Sequence, residues 1–586
     1  MLKNHSCVTC TTIKNLTMAN HQEISSFIWN VCDDVLRGLF KPHEYGDVIL
    51  PFVVLRRLDC VLEPQKDQAY NLYNEFKDKI EDPSPIIKNT IKLNFYNYSQ
   101  YDLSRLTANS LKLNFQNYLN GFSSNVTEII ENFQLEKPIE KLLKNNKLYL
   151  LISKFKEIDL HPNVVDNHTM GQIFEELLRK FSEMSNETSG EHYTPRDVVK
   201  LLVGLVFSEG KEDLEGEGKI RSIFDPCCGT GGMLSTGKEW ILQNINPDID
   251  IRLYGQELNP QTYAICKSDM LITDESPENI HLGSSLSEDK LQGKTFDYMI
   301  TNPPFGVSWK SEQEFILNEA QTAKGRFTVG TPRSSDGSLL FLQHMISKME
   351  EKGSRIGVVF NGSPLFTGDA GSGESEIRKW IIENDWLEAI VALPDQLFFN
   401  TGISTYIWIV TNKKKATRKG KVQLINATDM SQIMKKSLGS KRKYITDAQR
   451  EEILRVFLDF KENEFCKIYP NHYFGYTKVT IEQALKDEKG NMVIDKKTKE
   501  PKADSSLRDF ERIPLKQDID QYFEAEVKPH LENAWMDRTK DKVGYEINFT
   551  KYFYQYKPLR SLEEITADLL KLEEESDGLF QKILEK

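Results

Sequence analysis

This sequence has few cysteines and only short apolar runs. These two features argue against a disulfide-rich, membrane-spanning or secreted protein. Eight cysteines are spread over 586 residues, too few for a disulfide framework, so we expect a protein of the reducing cytoplasm. No run of about 18 or more apolar residues occurs, so no membrane span is predicted. No basic N-terminal segment leads into an apolar core, which argues against a secretory signal.

Basic residues are also fewer than acidic residues. Lys and Arg number 75 against 87 Asp and Glu, so the formal net charge is −12. Because phosphate binding depends largely on Lys and Arg, this balance argues against a protein that grips DNA over its whole surface. If DNA is the substrate, the positive surface must be local or supplied by a partner.

Metal-ligand spacing is equally rare. Cys7 and Cys10 form a C-x-x-C pair, but a structural zinc site needs four ligands and no second pair lies nearby in the sequence. The pair falls in residues 1–20, which we expect to be a disordered leader because ordered-looking sequence begins at about His21. We therefore predict no metal site.

Residues 21–165 have the apolar spacing of helices. At their start, apolar residues recur at helical intervals: Ile24, Phe27, Ile28, Val31 and Val35. Pro and Gly are scarce between such blocks, and no strand-like alternation is sustained. These features predict an all-helical N-terminal domain over residues 21–165.

Short apolar strands alternate with helical stretches from residue 221 to residue 411. The candidate strands are Ser222–Asp225, Arg252–Gln256, Ile280–Leu282, Phe296–Thr301, Arg355–Phe360, Ala389–Leu393 and Thr405–Val410. This alternation predicts an α/β domain, residues 166–480, with a mostly parallel sheet and helices on both faces. Such sheets bind ligands at the carboxyl ends of their strands.

Residues 481–586 are predicted to be a C-terminal extension with a helix at its end. Residues 485–505 are polar and are expected to form an exposed hairpin or loop. Ser561 and Glu564 form the capping-box pattern of a helix start. The apolar residues that follow keep a near-heptad spacing: Leu562, Ile565, Leu569, Leu572, Leu579 and Ile583. This seam suits a partner helix or its own chain, and the sequence leaves both open.

A glycine-rich turn from Asp225 to Gly232 follows the first candidate strand and precedes a helix. Its glycines allow a tight turn and a close approach to a ligand. After the next strand stands Glu257, whose carboxylate can accept hydrogen bonds from both ribose hydroxyls of an adenosine. The turn and the acid together indicate a cofactor with an adenosine end.

A phosphate-binding loop is the alternative for this segment. Gly232, Gly237 and Lys238 fit G-x-x-x-x-G-K, but Glu239 stands where such a loop needs Ser or Thr for magnesium. A sulfonium cofactor with an adenosine end needs no phosphate cradle and suits an acidic Asp225. We therefore favour that cofactor.

A second motif, Asn302-Pro303-Pro304-Phe305, follows the fourth candidate strand. The two prolines stiffen the loop and remove two backbone donors, which leaves the Asn302 side-chain oxygen and the Pro303 carbonyl as acceptors. Two acceptors that hold the hydrogens of a planar amino group free its lone pair for attack on a sulfonium methyl group. Phe305 is expected to stack on a base flipped out of a duplex. An ordinary turn is the alternative, which the position of the motif after a cofactor turn and an acid disfavours.

These motifs, in their order along the chain, resemble those of the adenine-specific DNA methyltransferases. The order is Glu191 to Arg196, then Asp225 to Gly232, then Glu257, then Asn302 to Phe305. Further stretches resemble the modification subunits of type I restriction-modification systems: His21 to Ile24, Val48 to Phe52, Leu55 to Asp59, Leu393 to Phe398 and Asn400 to Thr405. The resemblance covers roughly residues 21–480.

The resemblance implies a Rossmann-like class I methyltransferase sheet and S-adenosylmethionine as cofactor. It implies that six residues contact the methionine end of the cofactor: Glu191, His192, Tyr193, Thr194, Pro195 and Arg196. It implies that Asp225, Gly229, Thr230, Gly231 and Gly232 wrap the cofactor and that Glu257 holds its ribose. Ser284 stands where the family usually has Asp or Asn against the cofactor's adenine. The target adenine would be carried by Asn302, Pro303, Pro304 and Phe305.

The resemblance also implies partners. A specificity subunit would read the DNA, two methylating subunits would clamp it, and a restriction subunit would join. Two other functions fit part of the pattern: methylation of a glutamine amide in a protein, and cofactor binding by an assembly subunit that does not methylate. Phe305, where the first class favours Tyr, and the long helical N-terminal domain argue against the first. Intact Asn302 and Glu257 argue against the second.

Three basic segments lie beyond these motifs. Residues 309–337 carry Lys310, Lys324, Arg326 and Arg333 and are expected either to fold over flipped DNA or to form a solvated loop. Residues 413–421 are expected to form a solvated turn or a phosphate site. A third group lies close together in the sequence: Lys435, Lys436, Lys441, Arg442 and Lys443.

Overall fold

The computed structural model describes residues 23–185, 194–399, 401–488, 490–495, 499–554 and 561–572. The chain divides into two units, Met1–Ile547 and Asn548–Lys586. The segment 1–20, with Cys7 and Cys10, lies outside the described residues. Within the described ranges, no helix is both long enough and apolar enough to cross a bilayer; the cytoplasmic location stays a prediction.

The N-terminal part of the first unit is built from helices that share one apolar core. They are α1 (residues 23–31), α2 (Gly46–Leu62), α3 (Lys66–Phe76), α4 (Ser84–Ile91), α5 (Leu111–Asn120), α6 (Ser124–Asn132), α7 (Glu136–Lys144) and α8 (Leu148–Lys156). Ile24, Ile28, Val31 and Val35, which their spacing predicts to share a face, are all buried in this core. The predicted helical character of this region is confirmed.

A nine-stranded sheet forms the centre of the first unit. Its strands are β1 (Ile220–Asp225), β2 (Asp250–Glu257), β3 (Ile280–Leu282), β4 (Tyr298–Thr301), β5 (Arg355–Asn361), β6 (Leu387–Ala392), β7 (Thr405–Thr411), β8 (Lys421–Asn426) and β11 (Cys466–Pro470). Their order is β11-β8-β6-β7-β5-β4-β1-β2-β3. Pairing is antiparallel where β7 meets β5 and β6 and where β11 meets β8, and parallel elsewhere. The predicted α/β fold is confirmed; the sequence does not predict β8 and β11.

Helices connect these strands and pack on the sheet. They are α9 (Asn167–Ser185), α10 (Arg196–Ser208), α11 (Gly232–Asn244), α12 (Pro260–Ile272), α13 (Gln313–Ala320), α14 (Ser338–Ile346), α15 (Ser363–Phe366), α16 (Gly373–Glu383) and α17 (Asp447–Asp459). From β1 the chain winds outward through β2 to β3, and then it returns to the other side of β1 as β4. The carboxyl ends of β1 and β4 therefore flank a topological switch point, where open α/β sheets bind ligands.

Helix α12 belongs to two apolar cores at once. Tyr263, Cys266 and Met270 pack in the core of the sheet. Ala264, Ile265 and Leu271, on another face of the helix, pack in the N-terminal helical core. The element that follows β2 is therefore held between the two parts of the first unit.

The last part of the first unit contains two smaller sheets. A two-stranded ribbon is formed by β9 (Gln432–Leu438) and β10 (Lys441–Tyr444), and an antiparallel sheet by β12 (Gly475–Glu482), β13 (Asp509–Pro514) and β14 (Trp535–Tyr545), with α18 (Ile519–Tyr522) between β13 and β14. Antiparallel bridges join Lys486 to Met492 and Ile494 to Pro501, so the hairpin expected at residues 485–505 is present. The sequence does not predict the three-stranded sheet. The domain boundaries at 165 and 480 stay predictions.

The second unit contains α19 (Phe549–Phe553) and a helix over residues 562–572, α20. The backbone N–H of Ser561 donates to Glu564 Oε2 at 3.1 Å, and the N–H of Glu564 donates to Ser561 Oγ at 3.2 Å. This is the predicted capping box, and it starts the predicted helix.

Candidate functional site

One cavity of about 1030 Å³ opens at the carboxyl ends of β1, β2 and β4. Many of the predicted site residues line it: Thr194, Arg196, Asp225, Gly229, Thr230, Gly232, Glu257, Ser284, Asn302 and Pro304. Its volume slightly exceeds the range of about 300–1,000 Å³ that is usual for sites of small ligands. The cavity therefore has room for more than one small molecule.

The glycine turn has the backbone shape that its sequence predicts. Gly229 has φ +54° and Gly231 has φ +82°, both in the left-handed region that glycine adopts readily. A Cβ on Gly231 would lie 2.8 Å from Cys266 Sγ on α12, whereas a Cβ on Gly229 would meet no atom within 4 Å. Gly231 is thus required for both its conformation and its close packing, and Gly229 for its conformation alone.

Glu257 is hydrogen-bonded to the glycine turn. Its Oε2 accepts the backbone N–H of Gly229 at 2.8 Å, and its Oε1 accepts the backbone N–H of Asn259 at 2.7 Å. The bonds fix the position of the acid relative to the turn.

Asp225 is the most deeply buried acid of the cavity. Its Oδ1 accepts hydrogen bonds from Thr301 Oγ1 at 2.7 Å and from the Cys227 N–H at 2.9 Å. Its Oδ2 is buried and has no hydrogen-bond partner among the described residues. Burial raises the pKa of Asp225 to about 7, against those two hydrogen bonds, and the charge of Glu257 raises it further. An unsatisfied buried carboxylate oxygen is costly, so this oxygen is suited to a donor or a cation in the cavity.

Asn302 lies at the end of β4 and contacts the segment before α10. Its Nδ2 donates to Thr194 Oγ1 at 2.9 Å, which determines which way the amide faces. Pro304 lines the cavity, but Pro303 and Phe305 are not among its lining residues. The ring of Phe305 is buried and packs edge-on against Phe398, with ring centroids 5.8 Å apart. The motif therefore lines the same cavity as the glycine turn, with its aromatic ring turned toward Phe398.

Arg196 lines the cavity but is bound to α9. Its Nη2 and Nε donate to the two carboxylate oxygens of Glu175 at 2.9 and 3.0 Å, and its Nη1 lies 2.8 Å from His168 Nδ1. Burial raises the pKa of Glu175 to about 7, and the guanidinium of Arg196 acts in the opposite direction. Pro195 immediately precedes α10. Glu191, His192 and Tyr193, predicted as neighbours of the cofactor, lie outside the described residues.

Ser284 follows β3 and also lines the cavity. Its hydroxyl donates to Glu312 Oε1, an acceptor that it shares with the hydroxyl of Ser287 at 2.5 Å. The hydroxyl of Ser285 next to it donates to the Pro226 carbonyl at 2.6 Å and so ties this loop to the glycine turn. The sequence does not predict Glu312 as a cavity residue, because no motif marks it.

The N-terminal helices form a further wall of the cavity, which the sequence does not predict either. Residues of this wall include Phe40, His43, Asp47, Phe133, Lys137 and Lys141. Asp47 Oδ1 accepts a hydrogen bond of 2.6 Å from Gln261 Nε2 on α12. Glu128 on α6 accepts from Lys267 Nζ at 2.7 Å and from the Tyr263 hydroxyl at 2.6 Å. The wall is thus fastened to the helix that follows Glu257.

Most of the basic tract at residues 413–421 is exposed and residues 416–420 form a turn, as expected of a solvated turn, but two of its cations are buried. Lys414 is buried and pairs with Asp385 at 2.6 Å. Arg418 is buried, and its guanidinium donates to Gln423 Oε1 at 2.8 Å and to the Phe457 carbonyl at 2.5 Å. These two cations therefore hold the sheet edge together internally.

The segment at residues 309–337 is anchored rather than loose. Trp309 is buried, and its indole N–H donates to the Arg333 carbonyl at 2.9 Å. Arg326 pairs with Glu319 at 2.7 Å and donates to the Ser285 carbonyl at 2.7 Å. Lys310 and Lys324 are exposed. The segment stands beside the cavity, and Arg326 binds groups within the protein.

Two sequence families match this chain. The N-6 DNA Methylase family matches residues 165–505, and the HsdM N-terminal domain family matches residues 24–155. The chain is 28% identical over 499 residues to the methylase subunit of the type I restriction enzyme MjaIX from Methanocaldococcus jannaschii, covering 81% of this chain and 85% of that protein. It is 30% identical over 300 residues to the HindI methylase subunit of Haemophilus influenzae, covering 51% of this chain and 59% of that protein.

A solved structure shares the fold. The methyltransferase subunit of a type I restriction-modification system from Streptococcus thermophilus superposes with a TM-score of 0.61 at 22% identity. The match covers 78% of this chain and 97% of that one. The architecture of the sheet and the helical N-terminal part is therefore one that a solved protein also has.

Proposed function

Because this chain belongs to the N-6 DNA methylase family, as an adenine-specific methyltransferase subunit of a type I restriction-modification system, we propose that its cavity binds S-adenosylmethionine together with an adenine turned out of duplex DNA. One observation carries the proposal. Asn302 and Pro304 line the same cavity of about 1030 Å³ as Asp225, Gly229 and Glu257. A methyl donor and its acceptor would thus meet in one space that is large enough for both.

The residues around the glycine turn fit the cofactor. S-adenosylmethionine, when bound, supplies a methyl group activated by a cationic sulfur. Asp225 Oδ2, buried and without a partner among the described residues, suits its cationic amino-acid end. Glu257, at the end of β2 and lining the cavity, would accept the ribose hydroxyls, and Ser284 would lie beside the adenine. Residues Glu191 to Arg196 are proposed for the methionine end; Arg196 would act there from its fixed position on Glu175.

The residues after β4 fit the amino group of the target base. The hydrogen bond from Asn302 Nδ2 to Thr194 directs the amide, and its oxygen and the Pro303 carbonyl are proposed to accept the two N–H groups of adenine. Two such acceptors would hold the amino nitrogen in a fixed orientation, and orientation contributes several kcal/mol to such reactions. S-adenosylmethionine would supply the methyl group to this nitrogen, and the two acceptors would hold the amino group while it loses a proton to solvent.

Phe305 is proposed to stack on the flipped base. In this structure its ring packs against Phe398 instead. The stacking therefore requires the ring to turn toward the cavity when a base enters. Stacking on an aromatic ring is worth about 1–3 kcal/mol per base, which offsets part of the few kcal/mol that flipping costs.

The partners of this subunit are part of the proposal. We propose that a specificity subunit selects the DNA sequence, that two copies of this chain act in one complex, and that a restriction subunit joins it. Helix α20 offers a docking face within the second unit, because Leu562, Leu569 and Leu572 are exposed on it.

Transfer of tritium from methyl-labelled S-adenosylmethionine tests the function. We expect label in the adenine of target DNA when this chain is combined with its specificity subunit. Asn302→Ala should lose most of this transfer while still binding the cofactor, whereas Asn361→Ala, at the end of the neighbouring strand β5, should keep it. Label in protein instead of DNA, or cofactor binding without any transfer, would contradict the proposal.

A further inference from the structure

The ribbon of β9 and β10 is a basic, exposed feature of the described chain that the proposed function leaves unused. No Asp or Glu occurs between Asp429 and Asp447, while five cations lie in this stretch: Lys435, Lys436, Lys441, Arg442 and Lys443. This composition stands against the net charge of −12 for the whole chain. We name residues 432–444 the basic ribbon.

The five cations of the basic ribbon divide into two groups. Lys441 is buried and pairs with Asp197 at 3.1 Å, and Lys443 pairs with Asp395. Lys435, Lys436 and Arg442 are exposed, and within the described part of the chain they take part in no ion pair. The first group anchors the ribbon, and the second is available to an outside anion.

The basic ribbon is fixed to the loop that follows β6. The N–H of Ser440 donates to the Phe399 carbonyl at 2.7 Å, and the N–H of Arg442 donates to the Gln396 carbonyl at 2.9 Å. The same loop carries Phe398, whose ring packs on Phe305 of the target motif. The ribbon therefore stands next to the place where the target base is proposed to enter.

A second set of bonds ties the basic ribbon to the other side of the target site. Asp197, in the first turn of α10, accepts from Lys441 Nζ at 3.1 Å and from the Ile445 N–H at 2.9 Å. Three residues earlier, Thr194 Oγ1 accepts the hydrogen bond from Asn302. One set of bonds therefore links the ribbon to the loop of Phe398, which contacts Phe305, and the other links it to the segment of Thr194, which contacts Asn302. These bonds give the ribbon a defined position relative to the proposed place of the target base.

We propose that the basic ribbon binds the sugar–phosphate backbone of the target DNA beside the extruded adenine, through Lys435, Lys436 and Arg442. The inference rests on the proposed function, because an extruded base brings its flanking phosphates to the mouth of the cavity. A two-stranded ribbon has dimensions that fit along a DNA groove. Contacts to phosphates position a protein on DNA without reading sequence, which suits a subunit whose sequence choice is made by a partner.

The test compares two triple variants in complex with the specificity subunit. One is Lys435→Gln, Lys436→Gln and Arg442→Gln. The control is Lys219→Gln, Lys352→Gln and Lys419→Gln. It removes three cations that precede the amino ends of β1, β5 and β8, whereas the cavity opens at the carboxyl ends of the strands. Affinity for a duplex that contains the target is measured by fluorescence anisotropy at several salt concentrations, and cofactor affinity by calorimetry.

We expect the ribbon variant to bind DNA more weakly and with less dependence on salt. Each phosphate contact contributes about 0.9 to the slope of log affinity against log salt, so three contacts contribute about 2.7. Between about 50 and 200 mM salt the parent complex should therefore lose about 40-fold more affinity than the ribbon variant. The control variant should match the parent, and all three should bind the cofactor equally.

The other outcomes distinguish failure of the ribbon proposal from failure of the proposed function. If the ribbon variant keeps the affinity and the salt slope of the parent while both methylate DNA, the ribbon does not bind phosphates and the proposed function stands. If the ribbon variant no longer co-purifies with the specificity subunit, the ribbon binds that protein and not DNA. If the parent complex transfers no methyl group to DNA, the proposed function fails, and the ribbon proposal fails with it. Single Arg442→Gln, measured alongside, provides a milder change with an expected slope difference of about 0.9.

Discussion

The side-chain amide of Asn302 donates a hydrogen bond of 2.9 Å to the hydroxyl of Thr194, which lies 108 residues earlier in the chain. An amide has one donating and one accepting end. Because the bond uses the donating end, the accepting end is directed elsewhere, and Asn302 lines the cavity that also holds the glycine turn. We therefore expect Thr194 to act as a positioning residue.

Replacing Thr194 by Val removes the acceptor while keeping the shape of the side chain. We expect the methyl-transfer rate in single-turnover experiments to fall about tenfold, since a hydrogen bond worth about 1–1.5 kcal/mol would no longer direct the amide. The affinity for S-adenosylmethionine should change little. Thr194→Ser should restore the rate, because its hydroxyl also accepts a hydrogen bond. A Val variant with the parent rate would show that the amide is oriented by other contacts.

Gly231→Ala should destabilise the protein and weaken cofactor binding. An alanine at φ +82° is strained, and its Cβ would lie 2.8 Å from Cys266 Sγ, so we expect a loss of about 1–3 kcal/mol in the free energy of unfolding. Gly229→Ala is the matched control, because its Cβ would meet nothing within 4 Å. Cys266→Ala should partly rescue Gly231→Ala. Chemical denaturation of the three single variants and of the double variant Gly231→Ala, Cys266→Ala measures these effects. Equal losses of stability at both glycines would show that the contact with Cys266 does not matter.

Asp225 should make cofactor binding depend on pH. Its pKa is raised to about 7, so below that value the carboxyl is protonated and must lose its proton to bind a cationic ligand well. We expect affinity for S-adenosylmethionine to rise from about pH 6 to pH 8, with proton release on binding. Asp225→Asn should abolish this part of the pH dependence. Calorimetry in buffers of different ionisation enthalpy counts the protons, and an unchanged count in the variant would assign the effect to another group.

The same raised pKa has the opposite consequence for the ligand-free protein. The folded carboxyl holds its proton more strongly than the unfolded one, so its contribution to stability is complete below about pH 4 and is lost as the pH rises through about 7. Relative to Asp225→Asn, the parent should therefore lose free energy of unfolding between those values. Urea denaturation at several pH values measures the difference in free energy of unfolding between the parent and Asp225→Asn. A parent that becomes less stable than the variant as the pH falls would contradict this prediction.

The contact between Lys267 and Glu128 should couple the N-terminal helices to the helix after Glu257. The Lys267 side chain is 9% exposed and that of Glu128 47% exposed, with Nζ and Oε1 2.7 Å apart. We expect a double-mutant cycle of Lys267→Met and Glu128→Gln to give a coupling energy of about 0.5–1 kcal/mol, reduced by the partial exposure. Lys154→Met and Asp34→Asn, a pair at 3.2 Å within the helical domain whose lysine is more exposed than Lys267, should give less. Additive effects at the first pair would show that it does not couple the two parts.

The sequence predicts those features whose cause is local. The strands β1 to β7 are marked by apolar runs, and the turn at Gly229 and Gly231 by residues that tolerate positive φ. The sequence does not predict strand β14, because most of its residues are polar or charged and no apolar run marks it. The pairing of Arg196 with Glu175 and the hydrogen bond between Asp47 and Gln261 depend on which distant helices meet. No spacing within the sequence carries that information.

The sharing of α12 between two cores bears on any attempt to isolate a minimal catalytic fragment. A fragment that starts at residue 166 would leave Ala264, Ile265 and Leu271, all buried in the intact protein, facing water on the helix that follows Glu257. Exposed apolar clusters of this kind promote aggregation. A working truncation would therefore have to resurface that helix first, and homologues trimmed by nature to the sheet alone should carry polar residues at those three positions.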